Sequence, residues 1–93
     1  FKRIDKSHYA FLSKSEHALL IFNMVTGQKE KTIHLPFTPV DFSFSQGRYY
    51  VAGIQNLYLL SPNGEIIHKW FFGNKIKFVN SIKVIDNKAY LMT

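Results

Sequence analysis

The sequence predicts an all-β fold built from tandem four-stranded antiparallel units. Three observations carry this. First, the chain repeats itself: Ile4-Asp5-Lys6-Ser7-His8-Tyr9 returns as Ile85-Asp86-Asn87-Lys88-Ala89-Tyr90, an offset of 81. Tyr50 takes the middle place, so the steps from Tyr9 to Tyr50 to Tyr90 are 41 and 40. A period near 40 filled with short strands marks stacked β-units. Second, strand-like runs are dense, and residues such as Gly47, Gly64, Asn63 and Pro62 punctuate them. Third, no unit carries the 3.6-residue apolar pattern of a helix.

Each unit reads as four strands, A to D. The first unit opens with a cut A strand over 1–4, then B over 7–12, C over 18–23 and D over 30–35. Val25-Thr26-Gly27-Gln28 supplies the turn between C and D. Pro36 and Pro39 frame a stretch that cannot be a central strand, because proline has no amide hydrogen to give a ladder. Unit two then begins with A over 40–44, where Phe42-Ser43-Phe44 alternates as a strand with one wetter face should. Ser45-Gln46-Gly47-Arg48 turns the chain into B over 48–54. C follows over 57–60. The near-continuous apolarity of these two runs predicts strands covered on both faces. Ser61-Pro62-Asn63-Gly64-Glu65 is a strong hairpin signal, since Asn and Gly tolerate positive φ. D spans 65–72 and ends in Trp70-Phe71-Phe72, the densest aromatic run, which reads as a strand packed on its neighbour or as a binding patch. A third unit starts over 81–85, turns at Ile85-Asp86-Asn87-Lys88, and enters B before the sequence stops at Thr93. The repeats therefore fall at about 1–35, 40–72 and 81–93. A sequence that starts and stops within units reads as a fragment. A small sandwich or barrel is the competing architecture, but it has no reason to restate Ile-Asp-x-x-x-Tyr at a fixed offset.

Composition sets the remaining bounds. Ninety-three residues suit one small domain, and 46% apolar with 16% aromatic content supplies a core. With no cysteine, disulfides and thiolate metal sites are excluded. The chain has no apolar run of about 18 residues, so no membrane span is expected. Twelve basic and six acidic residues give +6. The basic residues are scattered rather than blocked, which favours a local charge imbalance over a nucleic-acid binder. No Gly-x-Ser-x-Gly elbow, Walker loop or Gly-x-Gly-x-x-Gly is present. Asp5 and Asp86 hold the same repeat position and are expected as turn residues that bond their own backbone. His8, His17, His34 and His68 show no metal-ligand spacing. Neither a catalytic residue, a metal ligand nor a cofactor is assigned.

Leu20-Ile21-Phe22-Asn23, Thr26-Gly27, Thr32-Ile33, Pro39-Val40-Asp41-Phe42-Ser43 and Arg48-Tyr49-Tyr50-Val51-Ala52 together resemble the YVTN-type β-propeller repeat. Residues 73–84 and Ala89-Tyr90-Leu91 are similar to NHL-type repeats and to the six-bladed propellers of bacterial exported proteins. The resemblance covers essentially the whole chain. It lacks the Trp-Asp dipeptide of WD repeats and the Trp-docking pattern of quinoprotein propellers. It implies β-propeller blades in an incomplete ring, since a closed ring takes about four to eight. The implied partners are the remaining blades of a parent chain or other protein chains, and the implied location is the bacterial periplasm or cell exterior. In such folds ligands meet the face carrying the D–A and B–C connections. On this chain that face would hold Lys14, Glu16, His17, Gln55 and Asn56 from B–C loops, with Phe37, Thr38, Asn74, Lys75, Lys77 and Phe78 from D–A loops. The expected ligand-binding set is Lys14, His17, Gln55, Asn56, Asn74, Lys75, Lys77 and Phe78, with an anionic or glycan-like ligand. The expected function is a non-catalytic binding or scaffold segment of a larger propeller protein. The alternative is the propeller part of a hydrolase, lyase or oxidoreductase whose chemistry lies mostly outside these residues.

Overall fold

A computed structural model describes residues 2–72, 79–86 and 88–92. Ten strands follow in order: β1 (Lys2–Arg3), β2 (His8–Ser13), β3 (Ala18–Asn23), β4 (Lys29–His34), β5 (Pro39–Ser45), β6 (Arg48–Gly53), β7 (Asn56–Leu60), β8 (Ile66–Phe71), β9 (Ser81–Ile85) and β10 (Lys88–Met92). They form three antiparallel meanders: sheet 1 is β1-β2-β3-β4, sheet 2 is β5-β6-β7-β8, and sheet 3 is β9-β10. The described residues are thus all-β: two blade-like four-stranded sheets and a two-stranded one that do not close into a ring.

The turns obey local chemistry. Gln46 and Gly47 both take positive φ, 51° and 78°, as a two-residue hairpin with right-handed strand twist demands. Asn23 builds the β3–β4 turn: its Oδ1 accepts from the amides of Val25 and Thr26, at 2.8 and 3.1 Å, and Gly27 closes it with φ 74°. Pro39 is the first residue of an edge strand, where its missing amide costs no ladder bond.

The sheets stack face to face. Ala10, Leu12, Leu19, Ile21 and Ile33 of sheet 1 bury against Phe42, Phe44, Tyr49, Val51, Tyr58 and Leu60 of sheet 2. The other face of sheet 2, with Tyr50, Ala52, Leu57 and Leu59, packs on Ile82, Val84, Ala89 and Leu91 of sheet 3. Five consecutive residues of β6 are buried for this reason, since sheet 2 is covered on both sides. Each fully buried large apolar side chain contributes about 1.5–3 kcal/mol. Asp41 ties the inner strands together: its Oδ2 accepts from the Ile82 amide at 2.9 Å and its Oδ1 lies 3.9 Å from the Lys2 ammonium. The Lys2 ammonium also donates to the Phe42 carbonyl and sits over the Phe42 ring.

The stacking fixes which residues are equivalent, and it corrects one expectation. Ala10 pairs with Ile21 and Leu12 with Leu19, while Tyr50 pairs with Leu59 and Ala52 with Leu57. Each foursome is the face its sheet turns to the next one. A bulge recurs at the same place in both sheets, between Ile21 and Phe22 and between Leu59 and Leu60. Ala10, not Tyr9, is therefore the counterpart of Tyr50 and Tyr90. Tyr9 pairs with Phe22, stacks on its ring at 5.3 Å, and occupies the opposite face. The spacing is 40 at both steps, and one additional residue sits in the first A–B turn. Five residues separate the paired Arg3 and Tyr9, whereas four separate Phe44 and Tyr49. A one-residue slip moves a side chain to the other face of its sheet.

Candidate functional site

The B–C and D–A connections lie at one end of the stack and are tied to each other by backbone bonds. In sheet 1 the Leu35 amide donates to the His17 carbonyl at 2.8 Å. In sheet 2 the Phe72 amide donates to the Gln55 carbonyl at 2.9 Å, and the Val79 amide to the Ile54 carbonyl at 3.0 Å. His17 carries φ 53° at the end of its turn, and its Nε2 lies 3.2 Å from Thr38 Oγ1. The same kind of bond thus anchors each D–A connection beside the B–C turn of its own sheet.

Between the two sheets these connections leave an open cleft of about 340 Å³ lined by Phe37, Thr38, Ile54, Gln55, Asn56 and Phe71. Gly53 lies against two of the lining side chains, Asn56 and Phe37. A Cβ there would stand 2.0 Å from Asn56 Oδ1 and 2.8 Å from the Phe37 ring, so only glycine lets both close in. Phe37 is also fixed from below by Tyr58, with ring centroids 4.5 Å apart. A second cleft, lined by Asn56, Tyr58, Lys69, Trp70 and Phe71, opens from the other side of the Asn56–Phe71 pair. Phe71 is 79% exposed at this rim. The cleft offers apolar ring faces with amide and hydroxyl groups between them, a combination that stacks on a flat ligand face and hydrogen-bonds its edge.

Of the residues expected on this face, the structure brings Gln55 and Asn56 into the cleft and His17 to its edge through Thr38. Lys14 is exposed in the first B–C turn and does not line the cleft. Asn74, Lys75, Lys77 and Phe78 lie outside the described residues. Phe71 and Ile54 join the lining although neither was singled out for this face. Their sequence signal was Trp70-Phe71-Phe72 beside a Gly-Ile-Gln-Asn turn, but only the D-strand register shows that Phe71 pairs with Asn56.

The opposite end carries a polar cluster. His8 stands between two carboxylates, with Nδ1 3.0 Å from Asp5 Oδ1 and Nε2 2.7 Å from Glu30 Oε1. Asp5 also accepts from the Ser7 amide at 2.7 Å, the self-bonding turn role expected of it. The side-chain bond to Asp5, then that to Glu30, raise the His8 pKa above its ordinary 6.5. The Ser7 amide and His8 hold Asp5 below the usual carboxylate range, and the Asn23 amide and His8 do the same for Glu30. This trio faces a cleft of about 360 Å³ that Phe44, Tyr49 and Pro62 close from sheet 2. Burial, then the nearby Asp5 charge, push the Tyr49 phenol up, so it stays neutral. Both imidazole nitrogens are engaged, which suits a clamp between the A–B turn and β4 rather than a proton-transfer group. Among the described residues no group of three or more His, Cys, Asp or Glu side chains is disposed to hold a metal ion, and no helix is long and apolar enough to cross a membrane.

Comparison with protein-family models and with curated proteins returns no match.

Proposed function

We propose that this chain is a non-catalytic binding and scaffold segment of a larger β-propeller protein of the YVTN/NHL-like, six-bladed bacterial type. The reading is supported above all by the cleft at the loop end, where Phe37 of the β4–β5 connection and Gln55 of the β6–β7 turn meet Asn56 and Phe71 at the paired ends of β7 and β8. Rigid sheets underneath and variable connections above are the usual arrangement of a binding surface. The ligand is glycan-like or anionic: ring faces of Phe37 and Phe71 suit a sugar face, the Gln55 and Asn56 amides suit hydroxyl or carboxylate oxygens, and the chain carries +6. The partners of the sheets themselves are other blades, from a parent chain or from other proteins.

An acidic oligosaccharide, tetragalacturonate, tests this directly. Titrated into the 15N-labelled chain, it is expected to shift the resonances of Thr38, Gln55 and Asn56, and Phe71→Ala with Gln55→Ala is expected to remove those shifts. Shifts confined to the His8 end, or none at millimolar ligand, overturn the reading. No binding to DNA is expected at low salt, because the lysines are scattered and few would release counterions at once.

A further inference from the structure

We propose that the cleft between the β1–β2 turn, β4 and sheet 2 binds a small organic cation, a primary ammonium carried on a short apolar body. This cleft lies at the opposite end of the stack from the loop-end site and does not rest on the reading given to that site. Charge is the first observation. The chain carries +6, yet among the described residues the only ion-pair partner of Asp5 and of Glu30 is His8. Two nearby cations are held to backbone instead. Arg3 donates to the Asp5 and Lys6 carbonyls, and Lys31 donates to the Pro62 carbonyl at 3.1 Å. Each carboxylate oxygen has about two acceptor sites, so Asp5 and Glu30 keep acceptor capacity beyond the bonds from Ser7, Asn23 and His8.

The second observation is Tyr49. It is 3% exposed and lines the same cleft as the two carboxylates. Among the described residues its phenol has no hydrogen-bond partner, and no side-chain oxygen is sealed off without one. The phenol oxygen therefore keeps a face open, and the cleft is the space it borders. Burial, then the Asp5 charge, raise the phenol's pKa, so hydroxyl and carboxylate share one region of the cleft. A hydroxyl in so dry a place is costly to leave unpaired. An ammonium N–H satisfies its oxygen while the carboxylates meet the charge.

The walls suit the rest of such a ligand. Ile4, Ile21 and Phe44 supply apolar surface, and Phe44 meets the Tyr49 ring edge-on at 4.9 Å. Few polar groups converging in an apolar cleft fix a ligand's orientation. His8 tunes the site. Its protonated ring donates to both carboxylates, whereas a neutral imidazole has only one N–H. Deprotonation thus leaves one carboxylate without its donor, and an ammonium takes that place. The groups facing His8 are Asp5 from the turn and Glu30 from β4, while Tyr49 stays neutral and Lys31 is held at Pro62. Amine binding is therefore tighter once His8 has lost its proton.

Phenethylamine is the probe. It is titrated into the 13C-labelled full chain at about pH 6 and about pH 8.5, both below the amine's own titration near about 10. The Ile4 and Ile21 methyl and His8 and Tyr49 ring resonances are expected to shift, with a dissociation constant at least about threefold lower at the higher pH. 2-Phenylethanol, the same body without the charge, is expected to bind at least about tenfold more weakly. Glu30→Gln and Tyr49→Phe keep the side-chain shapes, and each is expected to weaken the amine at least about threefold, with circular dichroism checking the fold. N-acetyl-lysine amide separates the sources. Binding as tight as phenethylamine's makes the ligand a lysine of a partner protein, and weaker binding makes it a free amine; both support ammonium recognition. No shift at millimolar amine at either pH overturns the proposal. So does equal binding of 2-phenylethanol, indifference to both variants, or shifts at Thr38 and Ile54 alone. Failure here leaves the loop-end cleft untouched, because that reading is scored on Thr38 and Gln55 with an acidic sugar.

Discussion

Leu60→Ala probes the contact on which the stack depends. Leu60 is 1% exposed and lies in one cluster with Ala10, Leu19, Ile21 and Val51. Removing three buried carbons forfeits about 0.8 kcal/mol each, or about 2.4 kcal/mol of transfer free energy. The cavity adds to that, because two rigid sheets cannot collapse onto the gap, so the expected loss is about 3–5 kcal/mol. A domain of this size holds about 5–14 kcal/mol in total, so the variant sits near the edge of folding. Its midpoint is expected to fall by about 12–25 °C. Urea denaturation followed by far-ultraviolet circular dichroism measures the loss, with Met92→Ala on the open face as the matched control at under about 1 kcal/mol. A Leu60→Ala loss no larger than the control's would refute the stacking argument.

Three other perturbations read other parts of the account. Gly53→Ala places a Cβ 2.0 Å from Asn56 Oδ1 and against Phe37, so it is expected to cost about 1–3 kcal/mol and to displace the Phe37 ring resonances, as denaturation and NMR will show. Asp41→Ala strips the Ile82 amide of its acceptor and is expected to cost about 1–3 kcal/mol, whereas Asp41→Asn keeps an acceptor and loses only a half-exposed ion pair, about 0–1 kcal/mol. The His8 clamp gives a pH signature. His8 has a raised folded pKa, so its contribution is complete below 6.5 and fades as pH rises through the folded value. Asp5 and Glu30 have lowered folded pKa values, so theirs is complete above their ordinary 3.8 and 4.5 and fades as pH falls. Stability is therefore expected to be highest between about pH 4.5 and 6.5 with respect to this cluster, and His8→Gln is expected to flatten that optimum in a series of urea melts.

Much of this architecture is legible in the residues themselves. Aromatic and aliphatic runs bounded by Gln46-Gly47, Pro62 to Gly64 and Asn23 to Gly27 define strands because turn chemistry is local. The double-sided apolarity of β6 announces a sheet covered on both faces. What fails is alignment to a single residue: the inserted residue in the Ile4–His8 turn lets Tyr9 masquerade as Tyr50, although it lies on the other face. Sites fail for a related reason. Glu30 is 22 residues from His8 and meets it across β3 within one sheet, Asp41 is 41 from Ile82 and meets it where two sheets stack, and Phe37 is 34 from Phe71 across a connection; no local pattern encodes these meetings. Asp5 with Ser7 was legible because the bond spans two residues.

The central claim is that sheets stack at a 40-residue register, with Ala10, Tyr50 and Tyr90 in line. Nuclear Overhauser contacts of the Ala10 methyl and the Tyr9 ring measure it most directly. The Ala10 methyl is expected to meet protons of the Val51 and Leu60 cluster, the Tyr50 ring to meet the sheet 3 cluster of Ile82, and the Tyr9 ring to meet Phe22 but no residue of β6. Contacts from the Tyr9 ring to Val51 or Leu60, with Ala10 silent toward sheet 2, would contradict it.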